Sequence, residues 1–238
     1  MHFCNATNQK YGPNKQKMRG ICVKLVKNMT SFECTKGGVK LTLMQREVLV
    51  GILLGDASLR TDTEGRKYRL QVSQSQQHKQ YLFHLYEIYK NLTTSPPTCL
   101  SFSDSRNPGK TYARWTFSTT QQSCFRFYGQ QFYRKQGKRK CPRLIERLLS
   151  ARSIAYWYMD DGAQKWKGRS KGVRFCTDNF SHTECKWLVS ALEKRYGLQT
   201  TLQKKGQRYR IYISSHSYIK LREIVFSFLL PSMVYKFP

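Results

Sequence analysis

Acidic residues are scarce in this chain: 14 Asp and Glu stand against 42 Lys and Arg in 238 residues, for a formal charge of +28. Such a chain repels itself unless an anionic partner shares the charge, and nucleic acid is the commonest polyanion. Long apolar runs are also missing. The longest, Val48 to Leu54, lies between Glu47 and Asp56 and falls far short of the roughly 20 residues a bilayer demands. It suits a buried helix. The amino terminus lacks the basic segment and apolar region of a secretory signal, so a reducing compartment is expected. Eight cysteines are present (Cys4, Cys22, Cys34, Cys99, Cys124, Cys141, Cys176 and Cys185), but no two form a C-x-x-C pair. That excludes the signature of a zinc ribbon or redox dithiol, and free thiols are expected. Without secretion, the N-x-T sequons at Asn5, Asn28 and Asn91 should stay unmodified.

Residues 1–41 are basic, rich in Asn, Gln and Lys, and weakly periodic, which reads as an extension that orders on a polyanion. A compact body should begin at Thr42, an N-cap with Gln45 in the capping-box position, and its first helix should run to about Gly55. Tyr68–Gln74 and Tyr112–Ser118 alternate apolar and polar residues as half-buried antiparallel strands do. Between them, Gln77–Leu92 carries a helical stripe, and a second stripe follows from Cys124 to Phe132. The order then repeats: Val173–Thr177 alternates, Thr183–Tyr196 is helical, Tyr209–Ser214 alternates and Tyr218–Leu230 is helical. Each half closes on a Lys-x-Pro, at Lys140 and Lys236. Such a repeat predicts two similar subdomains, 42–150 and 151–238, related by a pseudo-twofold axis.

The strongest repeat is a pair of apolar segments that each end in a carboxylate. They are Leu49-Val-Gly-Ile-Leu-Leu-Gly-Asp56-Ala57 and Ile154-Ala-Tyr-Trp-Tyr-Met-Asp-Asp161-Gly162. Gly51 and Gly55 share a helix face and would let a partner helix approach closely. Tyr156 stands opposite, so the contact is expected to be tight only at the carboxylate end. Two aspartates at adjacent helix C-termini would repel each other and meet the negative end of each macrodipole, penalties that a divalent cation removes.

These segments, with the string Ala-Tyr-Trp-x-Met-Asp-Asp-Gly and the closing Tyr-Lys-x-Pro, resemble the two-motif LAGLIDADG homing endonucleases, in the branch containing the omega-intron endonuclease. The resemblance spans about residues 42–238 and implies an α+β fold, a duplicated αββαββα unit whose antiparallel sheets bind DNA. It implies a monomeric, site-specific endonuclease cutting both strands of a long asymmetric target to promote group I intron mobility. Asp56 and Asp161 would hold Mg2+, with Mn2+ able to substitute, and the carbonyls of Gly55 and Asp160 would assist. The Asp160 side chain would otherwise face solvent. Lys236 is the implied basic catalytic residue of the second half. Its counterpart lies in Lys138-Arg139-Lys140, where the repeat selects Lys140 and the count along the relative selects Arg139. Gln71 resembles the polar residue that orders solvent at the metals. The outward-facing Arg69, Gln71, Ser73, Arg114, Thr116, Arg174, Arg208 and Arg210, with Lys138, would contact DNA, directly at base edges from the strands. The family's habit implies an organelle, chloroplast or mitochondrion. Two alternatives stand beside this reading: an intron maturase binding RNA on the same fold, and a basic RNA-binding protein without catalysis.

Overall fold

The computed structural model describes residues 38–103, 111–134, 136–166 and 168–238. The extension expected up to residue 41 therefore lies almost wholly outside the described residues. Helix α1 (Leu43–Leu54) opens with the expected cap: Gln45 N donates to Thr42 Oγ1 at 3.1 Å, and Thr42 N donates to Gln45 Oε1 at 3.0 Å. Capping of this kind satisfies donors that the first turn leaves orphaned. From Val48 to Leu54 every residue of α1 is buried. A helix that is apolar all round belongs in a core, and this one is the centre of the molecule.

The first half continues through β1 (Ser58–Arg60), β2 (Arg69–Ser75), α2 (Lys79–Tyr89), β3 (Thr98–Ser103), β4 (Thr111–Ser118) and α3 (Arg126–Phe132). A short helix α4 (Ile145–Leu148) leads into α5 (Ala151–Asp161). The second half then repeats the order as β5 (Gly162–Gln164), β6 (Val173–Phe175), α6 (His182–Tyr196), β7 (Thr200–Lys205), β8 (Arg208–Ile213) and α7 (Tyr218–Val225). Each half builds a four-stranded antiparallel sheet, in the orders β1-β2-β4-β3 and β5-β6-β8-β7. This is the expected duplicated αββαββα unit. The helical stripes are shorter than the sequence suggested because their ends tighten into 3-10 turns, at Gln76–His78, Lys90–Leu92 and Phe226–Phe228.

Strand register follows the alternation. Leu70 and Val72 are buried while Arg69, Gln71 and Ser73 are partly open. Across β4, Phe117 faces the core opposite Val72, and Thr116 sits opposite Ser73. In the second sheet Val173, Phe175, Ile211 and Ile213 point inward. One contiguous core joins these inner faces to α1 and α5.

Helices α1 and α5 pack at very close range. A Cβ added to Gly51 would lie 2.5 Å from the Ser153 carbonyl oxygen and 2.8 Å from Tyr156 Cβ. Close approach therefore extends well away from the carboxylate end, contrary to the expectation drawn from Tyr156. The Cβ of that tyrosine sits beside Gly51. Its ring stacks on His84 at 5.9 Å, and its hydroxyl lies 2.6 Å from His84 Nε2. Ser153 Oγ donates to the Glu47 carbonyl at 2.8 Å, and Arg152 pairs with Glu47 at 2.6 Å, fixing the register of the two helices.

Candidate active site

The helix pair delivers three carboxylates to one place. Asp56 follows the C-cap residue Gly55 and is exposed, while Asp160 and Asp161 end α5 and are only partly accessible. Gly55 has no side chain where the Asp160 carboxylate lies, and a Cβ there would collide with it. Asp160 thus turns inward, across the helix interface. Its Oδ2 accepts from the Asp56 backbone N–H at 3.1 Å. The expectation that its side chain faces solvent is corrected: with an empty slot at Gly55 and an orphan amide at the end of α1, the inward rotamer gains a hydrogen bond. Burial, and then the nearby charge of Asp56, raise the Asp160 pKa well above the carboxylate range. The buried Tyr81 hydroxyl beside it is likewise raised well above its ordinary value, by burial and then by Asp160.

Asp161 is pushed up to about 7, first by burial and next by Asp56, against the opposing pull of Arg139 and Lys236. Carboxylates that crowd each other this way favour a bound cation or a bound proton.

Two basic residues close the site from behind. Lys236 Nζ donates to the carbonyls of Met159 and Asp160, the latter at 3.0 Å. Arg139 donates through Nη1 to the Gly55 carbonyl and through Nη2 to the Ala57 carbonyl, the second at 2.6 Å. Gly55 and Asp160 each precede a motif aspartate, so Arg139 and Lys236 occupy matching places in the two halves. The preference for Lys140 is therefore corrected. Lys140 N is spent on the Phe132 carbonyl, and its side chain lines a separate pocket with Arg134, Arg143 and Trp187. The physical reason lies in the closing segments. The second half reaches its lysine through a 3-10 turn, Pro231–Lys236, whereas the first uses a Tyr133–Arg139 bridge that shifts the register by one.

Gln71 is corrected too. It lies on the outward face of β2, opposite Ser58 and Ser118. The glutamine that touches the acids is Gln74, whose Nε2 donates to Asp56 Oδ2 at 3.1 Å and to Asp160 Oδ1 at 3.3 Å. Sequence reasoning missed it, although a signal existed: Gln74 continues the buried series Leu70, Val72 on the core face. A polar residue on that face needs a buried partner. His78 Nδ1 lies 3.4 Å from Gln74 Oε1 and its Nε2 lies 2.9 Å from the Tyr235 hydroxyl, which orients the amide with its nitrogen toward the acids.

The donor set suits a hard divalent cation. Asp56 and Asp161 offer carboxylate oxygens, and their mutual repulsion is relieved by positive charge. Among the described residues no three His, Cys, Asp or Glu side chains gather to hold a metal by themselves, so a cation here would complete its shell with solvent or substrate oxygens. The Gly55 and Asp160 carbonyls, expected as further ligands, receive hydrogen bonds from Arg139 and Lys236 instead.

The outward faces of both sheets bear the expected polar residues. Arg69, Gln71 and Ser73 share a face with Arg114 and Thr116, and Ser73 Oγ donates to Thr116 Oγ1 at 2.9 Å. Arg174 lies opposite Tyr212, and Arg208 and Arg210 continue that face. Arg210 is committed elsewhere: its Nε and Nη2 grip Asp178 at 2.9 and 2.6 Å, and its side chain is only 14% exposed. This pair holds the Asp178 carboxyl down at about 2. Arg208, 3.9 Å from the same carboxylate, remains 64% exposed. Lys138 is exposed in the turn before Arg139.

The sequence profile described as the LAGLIDADG DNA endonuclease family matches residues 46–221. The chain belongs to that family. The chain is similar to DNA endonuclease I-ChuI of Chlamydomonas applanata, with 34% identity over 211 residues, covering 83% of this chain and 96% of the relative. It is also similar to cytochrome b mRNA maturase bI2 of Debaryomyces hansenii, with 32% identity over 196 residues and coverage of 80% and 72%. Among solved structures, the homing endonuclease I-WcaI bound to its DNA recognition sequence superposes with a TM-score of 0.78 at 23% identity, covering 95% of this chain and 94% of that one. The LAGLIDADG fold therefore extends over the described body.

Proposed function

We propose that this protein is a monomeric homing endonuclease that cuts both strands of a long, asymmetric duplex DNA target and so spreads its intron. One observation carries the reading: a single chain brings two motif aspartates to the ends of two tightly packed helices, each backed by a cation on the preceding carbonyl. The subdomains 42–150 and 151–238 would each contribute one acid, so the two half-sites need not be palindromic.

Asp56 and Asp161 are the residues that would hold Mg2+, or Mn2+ in its place. A bound divalent cation supplies an activated water and neutralises the scissile phosphate. Around it the chain does the rest. Gln74 restrains the Asp56 carboxylate through its Oδ2. Arg139 and Lys236 place fixed positive charge beside the acids, where negative charge grows on the phosphoryl oxygens in the transition state. Asp160 braces the end of α1 through the Asp56 amide. The outward polar faces of the sheets supply donors for base edges in the major groove. The net charge of +28 supports phosphate contacts, whose strength falls with salt. Relatives named as an intron-encoded endonuclease of Wickerhamomyces canadensis and a cytochrome b mRNA maturase support an organelle gene, chloroplast or mitochondrial.

The maturase similarity favours a second reading, in which the same fold binds intron RNA. Retention of both Asp56 and Asp161 supports cleavage, since RNA binding requires neither. The deciding experiment incubates the purified protein with a library of intronless duplex sites, in Mg2+ and in EDTA. Discrete metal-dependent double-strand cuts, abolished in Asp56→Asn and Asp161→Asn with DNA affinity kept within a few-fold, are expected. Tight RNA binding with no cutting of any duplex would overturn the endonuclease reading.

A further inference from the structure

The outward face of the first sheet changes character along its width. Beside Asp56 it is polar, with Arg69, Gln71 and Ser73 on β2. At the far edge, on β3 and the end of β4, three large apolar side chains point the same way: Leu100 is 48% exposed, Phe102 46% and Tyr112 41%. Their common face is fixed by register, because Phe102 is paired with Tyr112, Leu100 with Arg114 and Thr98 with Thr116. The Phe102 and Tyr112 rings stack at 6.0 Å and 26°, and the Arg114 guanidinium lies 5.5 Å from the centre of the Phe102 ring.

These residues sit on the wrong side of the sheet to serve the core. The core-facing side of the same hairpin carries Trp115, which packs edge-on against Phe83 of α2 at 5.2 Å, opposite Cys99. A soluble edge strand is normally guarded by charge rather than by exposed leucine and phenylalanine. The corresponding hairpin of the second sheet obeys that custom. Its outward pairs are Thr201 with Tyr212, Gln203 with Arg210 and Lys205 with Arg208, and the chain turns at Gly206 directly beyond them.

The two outward faces therefore differ in chemistry while sharing one architecture. Within the major groove the C5-methyl of thymine is the apolar group a protein can read, and hydrogen-bond donors read guanine. The apolar patch is continuous with the polar face assigned to DNA, and Arg114 beside it supplies the charge complementarity a duplex requires. We propose that Leu100, Phe102 and Tyr112 form an apolar reading surface for thymine methyl groups at the outer base pairs of one half-site. The other half-site is read through hydrogen-bond donors, chiefly Gln203, Lys205 and Arg208. This proposal rests on the endonuclease reading and gives its DNA target a polarity: thymine-dependent on one flank, guanine-dependent on the other.

Uracil tests it without altering the protein, because uracil keeps the hydrogen-bonding edge of thymine and lacks only the methyl. Cleaved sites are first selected from a randomised duplex library with the full chain and Mg2+. The winning duplex is then remade with deoxyuridine for thymidine in one outer flank at a time, and binding is measured in EDTA. Each buried methyl is worth about four-fold in affinity, so two or three together should weaken binding roughly ten-fold or more, on one flank only. The variant Leu100→Thr/Phe102→Thr/Tyr112→Thr, whose changes lie on solvent-exposed strand positions, should bind thymine and uracil duplexes equally. Lys205→Ala should keep the discrimination. Equal affinity of the unaltered protein for thymine and uracil on both flanks would overturn the proposal and leave the endonuclease standing. So would thymine discrimination that survives in the triple variant, or a concentration-dependent dimer that the triple variant abolishes with discrimination unchanged. An empty selection would overturn both.

Discussion

Replacing Gly51 by alanine should separate the two central helices and disable the site they carry. The new Cβ would lie 2.5 Å from the Ser153 carbonyl oxygen, whereas ordinary contact begins at 3.4 Å. That oxygen belongs to the backbone of α5 and cannot swing aside as a flexible side chain could. The helices must therefore part by most of an ångström, which also strains the 2.8 Å bond from Ser153 Oγ to the Glu47 carbonyl. Overpacking in a rigid core costs about 1–3 kcal/mol, and loss of a buried hydrogen bond adds about 1 kcal/mol. The intrinsic helix preference for alanine over glycine returns roughly 1 kcal/mol. A net loss of about 1–3 kcal/mol follows, which lowers the melting temperature of a domain this size by roughly 2–12 °C. Urea denaturation and thermal melting by circular dichroism measure it directly. Cleavage should fall further than stability predicts, because the acids at the helix ends move apart. A Gly51→Ala protein as stable and active as the original would refute the close-packing argument.

Arg139→Ala should reduce cleavage about 100-fold, the scale of losing one preorganised charge at a transition state, while Lys140→Ala stays within a few-fold. Single-turnover rates on the selected duplex distinguish them, and the reverse order would restore the repeat-based choice of Lys140. Gln74→Leu leaves Asp56 Oδ2 and Asp160 Oδ1 without that donor. It should cost about 1 kcal/mol of stability and accumulate nicked rather than linear plasmid, since among the described residues no glutamine is hydrogen-bonded to Asp161. Equal impairment of both strands would argue against a role confined to the first half. For pH, the native Asp161 holds its proton up to about 7, while in the unfolded chain it is lost near 4. Stability of the metal-free protein should thus fall as pH rises from about 4 to 7 and level off above, by at most about 4 kcal/mol from this group. The Asp178 pair works in the opposite sense, its contribution being lost as pH falls from about 4 through about 2. Mg2+ should therefore raise the melting temperature more at pH 8 than at pH 5. A shift independent of pH would show that the cation binds elsewhere.

Much of the architecture could be read from the chain. The apolar segments ending at Asp56 and Asp161, the Thr42–Gln45 cap and the alternation in β2, β4 and β8 depend on residues within a few positions of one another. So does the outward face of Arg69, Gln71 and Ser73, because a strand's period of two fixes which side each residue takes once one neighbour is buried. The edge strands β1, β3, β5 and β7 were legible only through the repeat, since an edge strand carries little buried alternation of its own: β3, for one, is exposed at every position.

The site itself was decided by contacts between segments far apart in the chain. Asp160 turns inward because Gly55, on the other helix, leaves a vacancy for its carboxylate, a relation no local pattern encodes. Arg139 rather than Lys140 reaches the acids because the first half closes through a β-bridge and the second through a 3-10 turn, which offsets identical-looking Lys-x-Pro endings by a residue. Gln74 joins the acids only because β2 lies against both helix ends. Sequence period determines which face a side chain occupies; which neighbour it meets there depends on distances of a few tenths of an ångström set by packing across the whole core.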